Sequence, residues 1–199
     1  MQAVRSACKG LILWMFGWLC CGISAPIYAA DRHASLYWAK YSPDRFADIV
    51  RDLDAEFRDS WLWALTHAHI TAEGDWIRWE VEGQLVRHNG MQNHWEVNGV
   101  LVARWMRFPW DRWLDTRLAF GEGLSYAFKV PPLEPRSGEE DMESARLLNY
   151  LLLEVEVVLP PRPEWSGFLR VHHRSGVAGL FGGVDGGSNF VGLGLRYSY

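Results

Sequence analysis

Asp75 to Val86 reads DWIRWEVEGQLV, and it alternates. Ile77, Trp79, Val81 and Leu85 share one side, while Arg78, Glu80, Glu82 and Gln84 share the other. A helix would return its apolar residues every third or fourth position. Period two over a dozen residues predicts a strand with one apolar face. The question is whether that face points into a core or out into lipid.

The pattern recurs along the chain. Asn93 to Trp105 sets Trp95, Val97, Leu101 and Trp105 against His94, Glu96, Asn98 and Arg104. Leu147 to Leu159 sets Leu151, Leu153, Val155 and Val157 against Tyr150, Glu154 and Glu156. Trp165 to Ser175 opposes Trp165, Leu169 and Val171 to Arg170, His172 and Arg174. Asn189 to Tyr199 opposes Val191, Leu193, Leu195, Tyr197 and Tyr199 to Gly192, Gly194, Arg196 and Ser198. Ala34 to Tyr41, Ser60 to Ala68 and Thr116 to Phe128 are weaker instances of the same kind. The set is eight strands, an even number, of about ten residues each, which is the signature of an antiparallel transmembrane β-barrel.

A soluble sandwich or lipocalin-like barrel also alternates, so other features must decide. The polar faces mix Glu80, Glu82, Glu96 and Glu154 with Arg78, Arg104, Arg170 and Arg196, which suits a narrow lumen filled by ion pairs. Trp61, Trp79, Trp95, Trp105 and Trp165 sit near strand ends, as in an interfacial aromatic girdle. The last alternating stretch closes on an aromatic residue, Tyr199, like the assembly signal of bacterial outer-membrane barrels.

The N-terminal segment predicts export. Arg5 and Lys9 precede the apolar run Leu11 to Cys21, and Tyr28-Ala29-Ala30 stands before Asp31, the layout of a signal peptide over residues 1–30 cut after Ala29 or Ala30. The alternative, an uncleaved anchor, is disfavoured because the run falls short of the ~20 residues a spanning helix needs. Gly17-Trp18-Leu19 before Cys20 is a poor lipidation signal. Cleavage removes Cys8, Cys20 and Cys21, so residues 31–199 form one domain with no disulfide and no cysteine metal site. The signal carries two of the 20 basic residues and none of the 24 acids, which takes the net charge from −4 to −6. An acidic chain has no electrostatic reason to bind nucleic acid.

Two connecting segments stand apart. Phe46, Ile49, Val50, Leu53 and Phe57 recur at helical spacing within Pro43 to Phe57, which predicts either a short amphipathic helix or an extension of the second strand. Lys129 to Ser144 is rich in Pro, Gly and acids and reads as a long polar loop. With a periplasmic N-terminus, odd-numbered strands climb outward. The turns near 71–73, 109–111 and 160–163 are then periplasmic, and the 129–144 and 177–188 loops external.

On this map the seventh strand brings His173 and Ser175 to the outer rim on its apolar side, while Arg170, His172 and Arg174 face the lumen. Polar groups on a lipid wall are costly and mark functional sites. Residues i and i+2 of a strand share a face about 7 Å apart, a span over which a histidine serves as base to a serine nucleophile.

His173-Arg174-Ser175, the glycine-rich stretch after it and the closing GLGLRYSY resemble the outer-membrane lipid A 3-O-deacylases, acyloxyacyl hydrolases of the PagL type. WEVEGQLVRH, RWMRFPWDRW and FGEGLSYAF extend the resemblance over roughly residues 75 to 199. It implies an eight-stranded barrel with a membrane-facing Ser175/His173 pair and an ester-linked acyl chain of lipid A, in lipopolysaccharide, as substrate. It implies no cofactor and a monomer or homodimer in the outer membrane. Two positions depart from the family. Gly176 stands where an asparagine is common, leaving its backbone N–H as the oxyanion donor. Gly186-Gly187-Ser188 stands where a glutamate orients the histidine, which leaves Asp185 as the nearest acid for that role.

The competing expectation, from a different class, is a catalytically inactive barrel with a structural or surface-binding role. A pore is disfavoured because side chains fill an eight-stranded lumen. His67 and His69 share a face but lack a carboxylate, so they read as polar side chains rather than metal ligands. Glu154 and Glu156 read as ion-pair partners of the next strand's cations. Glu122, between Gly121 and Gly123, falls on an apolar face, and a bulge there would turn it inward.

Overall fold

A computed structural model describes residues 32–134 and 144–199. The expected signal peptide and the middle of the acidic loop lie outside the described residues. Eight strands follow one another around a closed antiparallel barrel: β1 (Arg32–Ser42), β2 (Ser60–Glu73), β3 (Ile77–Gly90), β4 (Trp95–Trp105), β5 (Thr116–Ala127), β6 (Leu147–Leu159), β7 (Arg162–Ser175) and β8 (Gly187–Ser198). β1 pairs with β8 to close the ring, with Leu36 opposite Leu195, and the Arg32 and Tyr199 backbones exchange two 2.9 Å hydrogen bonds at the seam. Closure leaves no sheet edge unpaired, which a lipid-facing sheet requires.

The alternation runs inside out. Glu80, Glu82, Glu154, Arg104, Arg170 and Arg196 are all buried to 1% exposure or less, while Leu65, Leu193 and Leu195 are 57–67% exposed. A soluble domain with this distribution would expose its apolar surface and bury its charges, so the wall faces hydrocarbon and the chain is a transmembrane β-barrel. Trp79, Trp95, Trp105 and Trp165 lie on the wall near strand ends, as the girdle reading expects.

Cross-lumen ion pairs fill the interior. Arg104 grips Glu80 with two nitrogens at 2.8 and 3.0 Å and reaches Glu154 and Glu156 at 2.7 Å. Arg170 joins Glu82 to Glu154, and Arg196 joins Glu156 to Glu154. Glu154 therefore does pair with Arg170 of the neighbouring strand. The cations Arg104 and Arg196 come from β4 and β8 rather than from β7.

Three local expectations are refined. Residues 46–52 form a short helix, α1 (Phe46–Asp52), which ends at Leu53 in the left-handed region (φ 52°) with the Leu53 N–H on Ile49 O. β2 runs five residues past Ala68, to Glu73, so its turn falls at 74–76. β5 pairs without interruption on both sides, so no bulge turns Glu122 inward. Glu122 stays on the wall, half-buried, between Leu101 and Leu151 of the flanking strands.

The 128–146 loop is not polar throughout. Leu133 packs against the lumenal cluster of Tyr37, Leu62, Val86 and Phe190, and Glu134 is 1% exposed, bonded to Arg174 and Ser144. Burial pushes the Glu134 carboxyl up to about 7, against the pull of Arg174. Leu133 and Glu134 thus close the lumen at the end that carries Arg174 and Ser188.

Candidate active site

The local sequence of β7 fixes which side chains meet. His172 and Arg174 are fully enclosed in the lumen, His172 against Tyr37 Oη at 2.8 Å and Arg174 against Ser125 Oγ at 2.7 Å and Arg146 O at 3.0 Å. With the even positions clamped from inside, His173 and Ser175 must project through the outer wall. Both are partly covered there.

β8 completes the group. Its register sets Asn189 opposite His173 and Gly187 opposite Ser175. Asn189 Oδ1 lies 2.6 Å from His173 Nδ1, and Asn189 Nδ2 donates to the Asp44 carbonyl at 2.7 Å. The second bond determines the first. A carbonyl only accepts, so the Asn189 amide must turn its NH₂ to Asp44 and its oxygen to the histidine. His173 Nδ1 must then carry the proton, which leaves Nε2 as the free lone pair. A neutral asparagine thereby sets the tautomer a general base needs.

The β1–β2 loop holds this orientation. Asp44 Oδ2 accepts from Ser42 Oγ at 3.2 Å and from the Glu56 N–H at 2.7 Å, tying both ends of the loop together. Phe46, at the start of α1, lays its ring over His173 with centroids 5.0 Å apart and a 37° tilt. The sequence-level choice of helix or strand for this segment thus bears on the site: the helix roofs the histidine.

Gly187 lies beside both Ser175 and His173. A Cβ added there would stand 3.1 Å from Ser175 Cβ and 3.3 Å from His173 Cε1, and 2.4 Å from the Arg174 carbonyl. The serine and the imidazole therefore border one small volume that only glycine keeps clear. The turn that follows is tight: Val177 and Ala178 adopt left-handed φ of 49° and 53°, uncommon for residues with a Cβ and rarer still for a β-branched one.

Two assignments made from the sequence change. Asn189, not Asp185, occupies the position behind His173, because the β7–β8 register puts residue 189 across from 173. Gly176 is not a free oxyanion donor, since its N–H is spent on Gly186 O at 3.2 Å. A Cβ at 176 would fall 1.9 Å from the Val184 carbonyl, so the fold of the 177–186 loop also bars the asparagine common in the resembling family.

The histidines elsewhere have other employment. His67 faces outward and lies 3.1 Å from Tyr199 Oη. His88, His94 and Glu96, in the upper lumen, bring ligand-type atoms within 4.8 Å of one another. His88 already uses both ring nitrogens, on Glu96 and Gln92 at 2.8 Å each, and Arg174 Nε stands 3.7 Å from Glu96. The group reads as a buried hydrogen-bond cluster.

No protein-family model and no curated protein matches this chain. Among solved structures, the crystal structure of the outer membrane enzyme PagL superposes with a TM-score of 0.53, over 82% of this chain and 97% of that one. The chain has the PagL fold. At 11% identity the likeness is one of architecture, and the residues of the site rest on this chain's own geometry.

Asn189 supplies a direct test. Asn189→Leu removes the acceptor behind Nδ1 and should lower kcat on a soluble ester by about 10²- to 10⁴-fold, as loss of the orienting group does in serine hydrolases. Asn189→Asp keeps an acceptor and adds a charge that stabilises the imidazolium. It should retain activity, with the acidic limb of its pH–rate profile moved to higher pH. Equal activity of the leucine variant and the parent would show that Asn189 does not orient the base.

Proposed function

We propose that this barrel is an outer-membrane serine esterase that removes an ester-linked acyl chain from lipid A of lipopolysaccharide. The observation that carries the reading is the Asn189–His173 pair on the outer wall, which leaves the imidazole Nε2 free to act as base, with Ser175 and the ring bordering one small volume. Polar groups on a lipid-facing wall are costly, and here His173 is hydrogen-bonded to Asn189 while Ser175 borders the same small volume beside Gly187.

In this mechanism Ser175 Oγ attacks the ester carbonyl while its proton passes to His173 Nε2. A C–O bond forms, and the carbonyl π pair moves onto oxygen. Collapse expels the sugar oxygen, which takes the proton from His173, and the acyl group stays on Ser175. Water, deprotonated by the same imidazole, then releases the fatty acid. With the periplasmic N-terminus expected from the sequence, the site lies at the outer leaflet, and the acyl esters of lipid A lie just below the headgroups on that side. No metal or cofactor takes part.

The test is direct. Full-length protein in outer-membrane-like vesicles or detergent is incubated with lipopolysaccharide, and lipid A is analysed by mass spectrometry. The expected result is loss of one acyl mass together with release of the matching free fatty acid. Unchanged lipid A across detergents, with no hydrolysis of simple acyl esters either, would favour the inactive barrel with a structural or surface-binding role.

A further inference from the structure

A serine esterase needs a donor for the oxygen that becomes negative, and the amide that follows Ser175 is already engaged by Gly186. β6 offers another. Its register sets Asn149 directly opposite Ser175, on the other side from Gly187. Odd positions of β6 face outward, so the Asn149 side chain shares the wall with Ser175. Paired residues on one face of an antiparallel ladder hold their Cβ atoms about 4.5–5.5 Å apart.

Asn149 is unlike its neighbours on that face. Leu147 is 48% exposed and Val155 42%, whereas Asn149 is 3% exposed. Its Oδ1 is buried with no hydrogen-bond partner among the described residues. The 177–186 loop leans over this end of β6: a Cβ at Gly182 would stand 2.8 Å from Ala145 Cβ. A buried amide oxygen without a donor costs about 1–3 kcal/mol, and no hydrogen bond to Oδ1 holds the amide in this orientation.

Resting on the esterase reading above, we infer that the Asn149 side-chain amide is the oxyanion donor of this site. Rotation of the amide presents Nδ2–H to the carbonyl oxygen of an ester attacked by Ser175. In the tetrahedral intermediate that oxygen carries the full negative charge, and the hydrogen bond becomes charge-assisted. The bond is strongest in the transition state, so it acts on kcat more than on KM. The site then draws four groups from three adjacent strands, with Asn149 on β6, Ser175 and His173 on β7, and Asn189 on β8.

The experiment uses the full chain in detergent with a medium-chain nitrophenyl ester, comparing the parent with Asn149→Ala, Asn149→Asp and Ser175→Ala. Folding of each is checked by heat-modifiable migration on gels. Asn149→Ala should lower kcat about 10²- to 10³-fold, the usual cost of one oxyanion donor, with KM moved less than about threefold. Asn149→Asp keeps the shape without the donor and should be no better than the alanine variant. It decides the matter if the alanine variant fails to fold. Near-parental kcat in either folded variant, with Ser175→Ala inactive, overturns the oxyanion role and leaves the esterase standing. A parent no more active than Ser175→Ala overturns the esterase reading and this inference with it.

Discussion

Ser175→Ala is expected to reduce ester hydrolysis by about 10⁴- to 10⁶-fold, and His173→Ala by a similar factor. The double variant should be scarcely worse than either single one. Nucleophile and base act as a unit, so the first removal already forfeits the step and the second has little left to remove. The residual rate comes from binding and oxyanion stabilisation alone. Neither change should disturb the barrel. His173 and Ser175 project from the wall, whereas the interior contacts of β7 are made by Arg170, His172 and Arg174. The measurement is kcat/KM on a soluble ester for the four proteins, alongside heat-modifiable migration. Additive losses would show that the two residues act separately. A His173→Ala variant with parental activity would remove the imidazole from the mechanism.

Alternation carried most of this architecture at the level of sequence because a strand's two faces are chemically opposite in a membrane barrel. Once Glu80, Glu82 and Arg104 are assigned to one side, a shift by one residue would put charge into hydrocarbon, so each strand's facing is fixed by its own composition. What alternation does not encode is the relative slide of two strands. Asn189 has the parity of Leu193 and Leu195, so its outward facing was legible. Its position across from His173 depends on how the 176–186 loop folds, with left-handed residues at Val177, Ala178, Gly179, Gly182 and Gly183. A glycine-rich loop has many ways to close, and counting along the chain led to Asp185 instead.

The same limit explains the other differences. Asn149 sits in a run of leucines and reads as one more wall position until the β6–β7 register sets it beside Ser175. Glu134 is surrounded by Pro, Gly and acidic residues, all signs of an exposed loop. Arg174, forty residues away and reaching along the lumen, gives it a reason to turn inward, and Ser144 and Ser188 add hydroxyl donors to the same carboxylate. Glu122 differs in kind. Its flanking glycines suggested a bulge, but Gly123 has a different use: a Cβ there would fall 1.9 Å from the Gly99 carbonyl, so glycine is needed for close strand approach in an unbroken ladder.

Arg104→Leu should cost the barrel about 3–5 kcal/mol of folding free energy, the usual penalty for removing one partner of a buried ion pair. The lost contacts are the fork on Glu80 and single bonds to Glu154 and Glu156, all within 3.0 Å and all sealed from solvent. The damage is uneven. Glu154 keeps Arg170 and Arg196, and Glu156 keeps Arg196 and Ser166, whereas among the described residues Glu80 keeps only His33 at 3.2 Å. Glu80 is thus the carboxylate stranded by the change, and Glu80→Leu added to Arg104→Leu should restore part of the stability. Arg104→Lys should fall between, because an ammonium cannot reproduce the two-nitrogen grip. Urea unfolding in detergent or vesicles measures these proteins together with the Glu80→Leu single variant, and the cycle of parent, two single leucine variants and the double isolates the Glu80–Arg104 coupling. A single leucine variant within about 1 kcal/mol of the parent would mean that water enters the lumen and solvates the stranded carboxylate. In that case the interior would be hydrated rather than sealed, and the ion pairs would contribute little to holding the wall that presents His173 and Ser175.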